Sequence, residues 1–243
     1  MSYFNRVKNI YDNQKKGDIY YMYFTRYISA PITAILTYTK FTPNMATLAM
    51  FFFGILGSFL FSFGDTFGYI FGGLSFVMLI VSDTVDGELA RFKGTSSLFG
   101  DYLDRLAHYV TNTSMILCIG IGIYSTYNDI KILYVTIIVT VCYLFDDISR
   151  DLLISCGLAE GKSRKNEKNK FSIIKGSKLK TLIFYTASNT AFFHLIILTA
   201  LFDNLIDLKY HLIITHIYIV YFSLATIFKI FFRLPLIVSL KHK

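Results

Sequence analysis

Five acidic residues stand close together in the segment from Asp83 to His108, which lies between two apolar runs of the sequence. They are Asp83, Asp86, Glu88, Asp101 and Asp104. An uncompensated charge next to or inside an apolar run is costly, and such residues are usually kept for function. We therefore expect the chemistry of this protein to lie in this segment.

The spacing within the segment predicts a metal site. Asp83 and Asp86 are three residues apart, and Asp104 and His108 are four apart, so each pair shares one face of a helix. Two antiparallel helices joined by a short link would bring these faces together around a divalent cation, which readily takes carboxylate oxygens. Asp101 lies on the same helical face as Asp104 and His108 and is a further candidate ligand.

The composition is that of a membrane protein. Hydrophobic residues make up 54% of the chain and the mean hydropathy is +0.51, which is high for a soluble domain. The net charge of +8 would suggest nucleic acid in a soluble protein, but here the basic residues fall mostly between apolar runs. In that position they orient the chain and attract anionic lipid. We expect membrane lipids as partners and exclude nucleic acid.

The apolar runs predict an all-α integral membrane protein with six transmembrane helices. The runs cover residues 44–64, 67–90, 98–124, 131–149, 181–201 and 210–234. Residues 21–40 are less apolar and contain Arg26 and Pro31, so we expect an amphipathic interfacial helix there. This divides the chain into an N-terminal segment with the interfacial helix, residues 1–43, and a six-helix catalytic domain, residues 44–243.

The distribution of charge predicts the orientation. With six spans and the N-terminus inside, only Lys131 and Lys209 of the 24 Lys and Arg residues fall on the far side. A seventh span at residues 21–40 would move the basic N-terminus outside and break this agreement. We therefore expect both termini and the acidic segment at the cytoplasmic face, in the inner or plasma membrane of the cell.

The segment also resembles the signature of a known family. From Asp83 it reads D-x2-D-G-x2-A-R-x8-G-x3-D-x3-H, which is similar to the D-x2-D-G-x2-A-R-x8-G-x3-D-x3-D of the CDP-alcohol phosphatidyltransferases. Seven of the eight fixed positions match, and the signature covers 26 residues. The matching residues are Asp83, Asp86, Gly87, Ala90, Arg91, Gly100 and Asp104.

The resemblance implies a role for each matching residue. It implies that Asp83, Asp86 and Asp104 bind a divalent metal, with Mg²⁺ favoured and Mn²⁺ as the second choice. It implies a binding site for the cytidine diphosphate (CDP) group of a donor at Asp83, Asp86, Gly87, Ala90, Arg91 and Gly100. Members of the family dimerise through membrane helices, so the resemblance also implies a homodimer.

His108 departs from the family signature, which has an aspartate at this position. A neutral imidazole can accept a proton at cytoplasmic pH, so His108 can serve as the catalytic base beside Asp104. As a metal ligand it replaces a hard anion, which should weaken Mg²⁺ binding and favour metals that accept imidazole.

Three basic residues are candidates for binding a phosphate of the acceptor. Arg150, which ends the fourth predicted span, resembles an arginine of family members that make phosphatidylglycerol phosphate; an anchoring ion pair with a neighbouring aspartate is the alternative. Lys178 and Lys180, in the sequence SKLKT, resemble a Lys-x-Lys-Thr that opens the fifth span in relatives.

The resemblance therefore predicts a phosphotransferase. It would move a phosphoryl-linked group from a CDP-activated donor, either CDP-diacylglycerol or a CDP-alcohol, to an alcohol or lipid acceptor and release cytidine monophosphate (CMP). Two alternatives remain open: a transporter or channel whose carboxylates bind a cation, and an inactive homologue. The acidic residues cluster at one leaflet instead of lining a path through the membrane, which disfavours the transporter.

Overall fold

The computed structural model describes residues 2–13, 25–159 and 224, and the described part consists of helices without a strand. In the last helix, the side chains of residues 150, 153, 154 and 156–159 are outside the description. The helices are α1 Tyr3–Asp12, α2 Arg26–Leu36, α3 Pro43–Phe61, α4 Thr66–Lys93, α5 Leu98–Tyr127 and α6 Ile130–Ala159.

Four of these helices are long and apolar enough to cross a membrane. They are α3, α4, α5 and the first 20 residues of α6, up to Ser149. The first four predicted spans are thus confirmed as helices, with α4, α5 and α6 extending beyond the predicted runs. The fifth and sixth predicted spans lie outside the described residues, and the boundary between residues 43 and 44 stays a prediction.

Capping residues set the helix ends. The side chains of Thr42, Asp65 and Ser97 each accept a hydrogen bond from a backbone N–H in the first turn of α3, α4 and α5. Gly94 ends α4 with φ 65°, a left-handed conformation that glycine adopts without strain. Because α4 ends at Lys93 and α5 begins at Leu98, the two helices turn back on each other through four residues.

Glycines allow α3 to pack closely against its neighbours. A Cβ at Gly54 would overlap Thr111 of α5, and a Cβ at Gly57 would lie 2.7 Å from the ring of Phe76 in α4. Small residues at such contacts let membrane helices approach until their backbones nearly touch. This packing holds both α4 and α5 against α3.

The N-terminal helices pack on the carboxyl end of α4. Helix α2 lies within the predicted interfacial segment, whereas α1 was not expected from the sequence. Arg6 of α1 donates a hydrogen bond of 2.7 Å to Thr37 Oγ1 and stacks on the Tyr38 ring at 3.9 Å. It also lies 5.7 Å from the centre of the Phe92 ring of α4. The two short helices are therefore attached to the end of α4 that carries the acidic segment.

Candidate active site

The site lies where the carboxyl half of α4 meets the amino half of α5. The link of residues 94–97 reverses the chain in four residues, and side chains in the carboxyl half of α4 meet side chains in the amino half of α5. This arrangement is the antiparallel pair that the spacing of the acidic segment predicted.

Three of the predicted metal ligands come together across this pair. His108 Nε2 lies 3.3 Å from Asp83 Oδ1 and 3.5 Å from Asp104 Oδ1. One ligand atom from each residue lies within 4.8 Å of the other two, and all three side chains are half-buried. We call these residues the metal cluster.

The chemistry of the metal cluster fits a divalent cation. Asp104 Oδ1 is buried and accepts no hydrogen bond from any residue that the structure describes. A buried carboxylate oxygen without a donor is costly, and a bound cation would satisfy it. Two carboxylates suit Mg²⁺, and the imidazole adds a ligand that Mn²⁺ accepts more readily.

Asp86 lies at the pocket beside the metal cluster, and its role as a further metal ligand stays a prediction. Its Oδ2 accepts a hydrogen bond of 2.9 Å from Thr47 Oγ1 of α3. Thr47 is buried, and this bond orients the Asp86 carboxylate toward α3. No sequence pattern indicated that α3 supplies this donor.

A polar pocket opens next to the metal cluster and collects most of the motif. Its lining residues are Pro43, Asn44, Thr47, Asp86, Gly87, Ala90, Arg91, Thr95, Ser96, Ser97, Gly100, Asp101 and Asp104. Sequence reasoning missed the contribution of α3 and of the link between α4 and α5. The charge count had placed the start of α3 at the same membrane face as the motif, and this was the signal that could have identified the contribution of α3.

Two motif glycines leave room for neighbouring side chains. A Cβ at Gly87 would lie 3.2 Å from Arg91 NH1, so the guanidinium group folds back over the glycine at the pocket wall. A Cβ at Gly100 would lie 3.3 Å from Ser97 Oγ and 3.4 Å from Asn44 Oδ1. Any larger residue would therefore displace polar groups of the pocket.

Glu88 is the acidic residue of the segment that turns away from the site. It is 2% exposed, and its two carboxylate oxygens accept hydrogen bonds of 2.7 Å from Ser29 and Thr33 of α2. At about 100° per residue it lies roughly 200° around α4 from Asp86. Glu88 is therefore connected to the N-terminal helices.

The three basic phosphate-binding candidates are not described by the structure. Lys178 and Lys180 lie outside the described residues, as does the side chain of Arg150. Its neighbour Asp151 contacts α5: Tyr109 donates a hydrogen bond of 2.6 Å to Asp151 Oδ2, and Arg105 lies 3.5 Å from the same oxygen. These contacts hold the carboxyl half of α6 against the amino half of α5.

The fold and the site together define an integral membrane protein with a carboxylate and histidine centre beside a polar pocket. A family model described as CDP-alcohol phosphatidyltransferase matches residues 40–234. This is most of the chain, and the chain belongs to that family. No curated protein matches it.

Family membership confirms the resemblance seen in the 26-residue motif and extends it over the chain. The protein is a transferase of the CDP-alcohol phosphatidyltransferase type, in a family of phospholipid synthesis that generally uses a divalent metal. The identity of donor, acceptor and metal goes beyond this finding.

Proposed function

We propose that the protein is a metal-dependent phosphotransferase that moves a phosphoryl-linked group from a CDP-activated donor to an alcohol and releases CMP. One observation carries the proposal: the pocket joins the motif residues of α4 and α5 beside the metal cluster. Asp104 Oδ1 is buried beside this pocket and accepts no hydrogen bond from the described residues, which supports a bound cation over a degenerate site.

The charged residues of the site have separate proposed roles. Asp83, Asp104 and His108 would hold the metal, with Asp86 as a fourth ligand and Asp101 as a further candidate at the pocket wall. The bound metal would neutralise the diphosphate of the donor and stabilise the leaving CMP. Arg91 is placed at the pocket wall, where its guanidinium can pair with phosphate oxygens.

The proposed reaction is a displacement at phosphorus. The acceptor oxygen forms a bond to the attacked phosphorus, the bond from that phosphorus to the CMP oxygen breaks, and the hydroxyl proton passes to a base. His108 Nε2 is the imidazole atom that faces Asp83 and Asp104. A nitrogen that coordinates a metal cannot also accept this proton, so the ligand and base roles of His108 exclude each other at Nε2.

A screen of substrates tests the function directly. Purified protein in lipid nanodiscs would be given CDP-diacylglycerol with small alcohols, and separately small CDP-alcohols with diacylglycerol. We expect one pairing to release CMP and to yield a lipid of the predicted mass, with loss of both signals in a metal chelator. If no CDP donor reacts and Asp83→Ala changes ion flux instead, the protein is a cation transporter.

We further propose that the pocket faces the cytoplasm and that the protein is a homodimer in the inner or plasma membrane. The charge distribution supports the orientation, because 22 of the 24 basic residues would otherwise face outward. A C-terminal reporter that is active only in the cytoplasm should therefore be active. Mass measurement in nanodiscs should give two chains per particle, and a single chain would contradict the dimer.

The contact between Thr47 and Asp86 should tune metal binding. Thr47→Val removes the hydroxyl that donates to Asp86 Oδ2 while keeping the shape of the side chain. Loss of such a supporting hydrogen bond commonly costs about 10-fold to 100-fold in metal affinity or activity. We expect the half-saturating Mg²⁺ concentration to rise by about that factor, measured by activity against metal. Thr47→Ser keeps the donor and should behave as wild type; equal metal dependence of Thr47→Val and wild type would remove Thr47 from the site.

A further inference from the structure

Helix α4 presents two different faces at its carboxyl end. The face toward the pocket carries the motif residues Asp86, Gly87, Ala90 and Arg91. The face toward the N-terminal helices carries Val81, Val85, Glu88 and Phe92, spaced as successive turns of one helical stripe. The second face has no part in the proposed chemistry.

Apolar contacts seat α2 and the start of α3 on this second face. Val81 and Val85 are buried with Ala46, and Ile28, Ile32 and Leu36 of the α2 region pack against them. Contacts of this kind are not directional, so they hold two helices together without strongly fixing their register.

Glu88 adds directional contacts to this apolar interface. Ser29 and Thr33 are fully buried and lie one turn apart on α2, and each donates to a different oxygen of the Glu88 carboxylate. Hydrogen bonds to a charged acceptor are stronger than neutral ones and require correct geometry. A shift of α2 by one turn would break both bonds and leave a carboxylate buried without these donors.

The position of α2 determines one wall of the pocket. Six residues, 37–42, connect α2 to α3, and Lys93 Nζ of α4 holds this connection through hydrogen bonds to the carbonyls of Thr39 and Phe41. The next residues, Pro43 and Asn44, line the pocket. A displacement of α2 would therefore shift Pro43 and Asn44 at the pocket wall.

The opposite side of α2 cannot fix the helix in the same way. Tyr27 and Ile35 are 59% and 56% exposed. In an interfacial helix such side chains face lipid, which offers a fluid surface without defined register. Helix α1 bonds to Thr37, just beyond the end of α2, so the described side-chain hydrogen bonds from within α2 to another helix are those of Ser29 and Thr33 with Glu88.

We propose that Glu88 is a positioning residue that fixes the register of α2 on α4 and thereby the pocket wall that faces the CDP donor. The inference rests on the proposed function, because it assigns the pocket to that donor. It gives a role in the reaction to a buried acidic residue that lies outside the metal cluster and the pocket.

The test separates positioning from stability. In the triple variant Glu88→Leu, Ser29→Ala, Thr33→Val, all three polar groups become apolar, and such replacement of both partners is often nearly neutral for stability. We expect thermal unfolding close to wild type but a KM for the CDP donor about tenfold higher, with kcat changed less than about threefold. A role in stability alone would reduce the amount of active enzyme and leave KM unchanged.

Two further variants sharpen the result. The single variant Glu88→Gln should keep a KM near that of wild type, because the amide can accept a hydrogen bond from one hydroxyl and donate one to the other. Ser58→Ala is the matched control for the serine, since Ser58 is also buried but bonds to Gly54 O within its own helix. Its KM should not change. Unfolding of the triple variant under conditions where the wild type is folded would show that Glu88 serves stability, and would contradict the proposal.

A second readout does not depend on activity. The chain contains no tryptophan, so Tyr27→Trp places a single tryptophan, which can be excited apart from the tyrosines, on the exposed side of α2. We expect its anisotropy in nanodiscs to fall when the triple variant is introduced, because α2 loses its fixed register. Equal anisotropy and equal KM in both backgrounds would refute the role of Glu88. Absence of transfer by the wild type would refute the proposed function instead, and the anisotropy would still report on α2.

Discussion

Asp104→Asn should abolish transfer while leaving the protein folded. Asp104 belongs both to the metal cluster and to the pocket lining, and its Oδ1 accepts no hydrogen bond from the described residues. Asparagine has nearly the same shape, so the change removes charge and little else. We expect kcat to fall by roughly 10³-fold, the scale seen when a charge that stabilises a transition state is removed.

The control for this prediction removes the same charge far from the site. Asp129 lies in the turn between α5 and α6, at the other end of the long helices, and its side chain accepts a hydrogen bond from the Lys131 backbone. Asp129→Asn should keep wild-type turnover. CMP release and thermal unfolding would be measured for both variants. Turnover by Asp104→Asn above about a tenth of wild type would exclude Asp104 from the catalytic centre.

The membrane-spanning helices were predictable because lipid imposes a simple rule. A segment that crosses the hydrocarbon must bond its own backbone groups and be apolar over about 20 residues, so α3 to α6 are visible as apolar runs. The turns by which the helices extend beyond the apolar runs could not be seen in the sequence; at the carboxyl end of α4, for example, one face of the helix is polar. Helix α1 was missed because it has ten residues of mixed character, and its attachment depends on Arg6 meeting Tyr38 and Phe92, which are distant in sequence.

The part of the site that depends only on the period of a helix could be predicted from the sequence. Spacings of three and four residues placed Asp83 near Asp104 and His108 once a short link was assumed, and the structure brings these three residues together. Thr47 and Asn44 could not be assigned, because their contribution depends on how α3 packs against α4. The same period could have separated Glu88 from Asp86, since two residues turn a helix by about 200°.

His108→Ala should remove turnover and leave donor binding intact. The imidazole contacts the two carboxylates of the metal cluster and is absent from the pocket lining, so the pocket for the CDP donor should survive its loss. Removal of a general base usually costs about 10²-fold to 10⁴-fold in rate, and we expect kcat to fall within this range. Donor binding would be measured separately, by equilibrium dialysis of the labelled donor.

The metal dependence of this variant decides between the two roles of His108. If His108 is a ligand, high metal concentration should restore part of the activity of His108→Ala, and His108→Asp, which supplies the harder ligand, should shift the preference from Mn²⁺ towards Mg²⁺. If His108 is the base, saturating metal should restore nothing, because the acceptor proton still has no recipient. Full activity of His108→Ala at ordinary metal concentration would contradict both roles and place the base elsewhere in the site. Added metal can compensate for a lost ligand but not for a lost base, so a metal titration of the alanine variant separates the two roles.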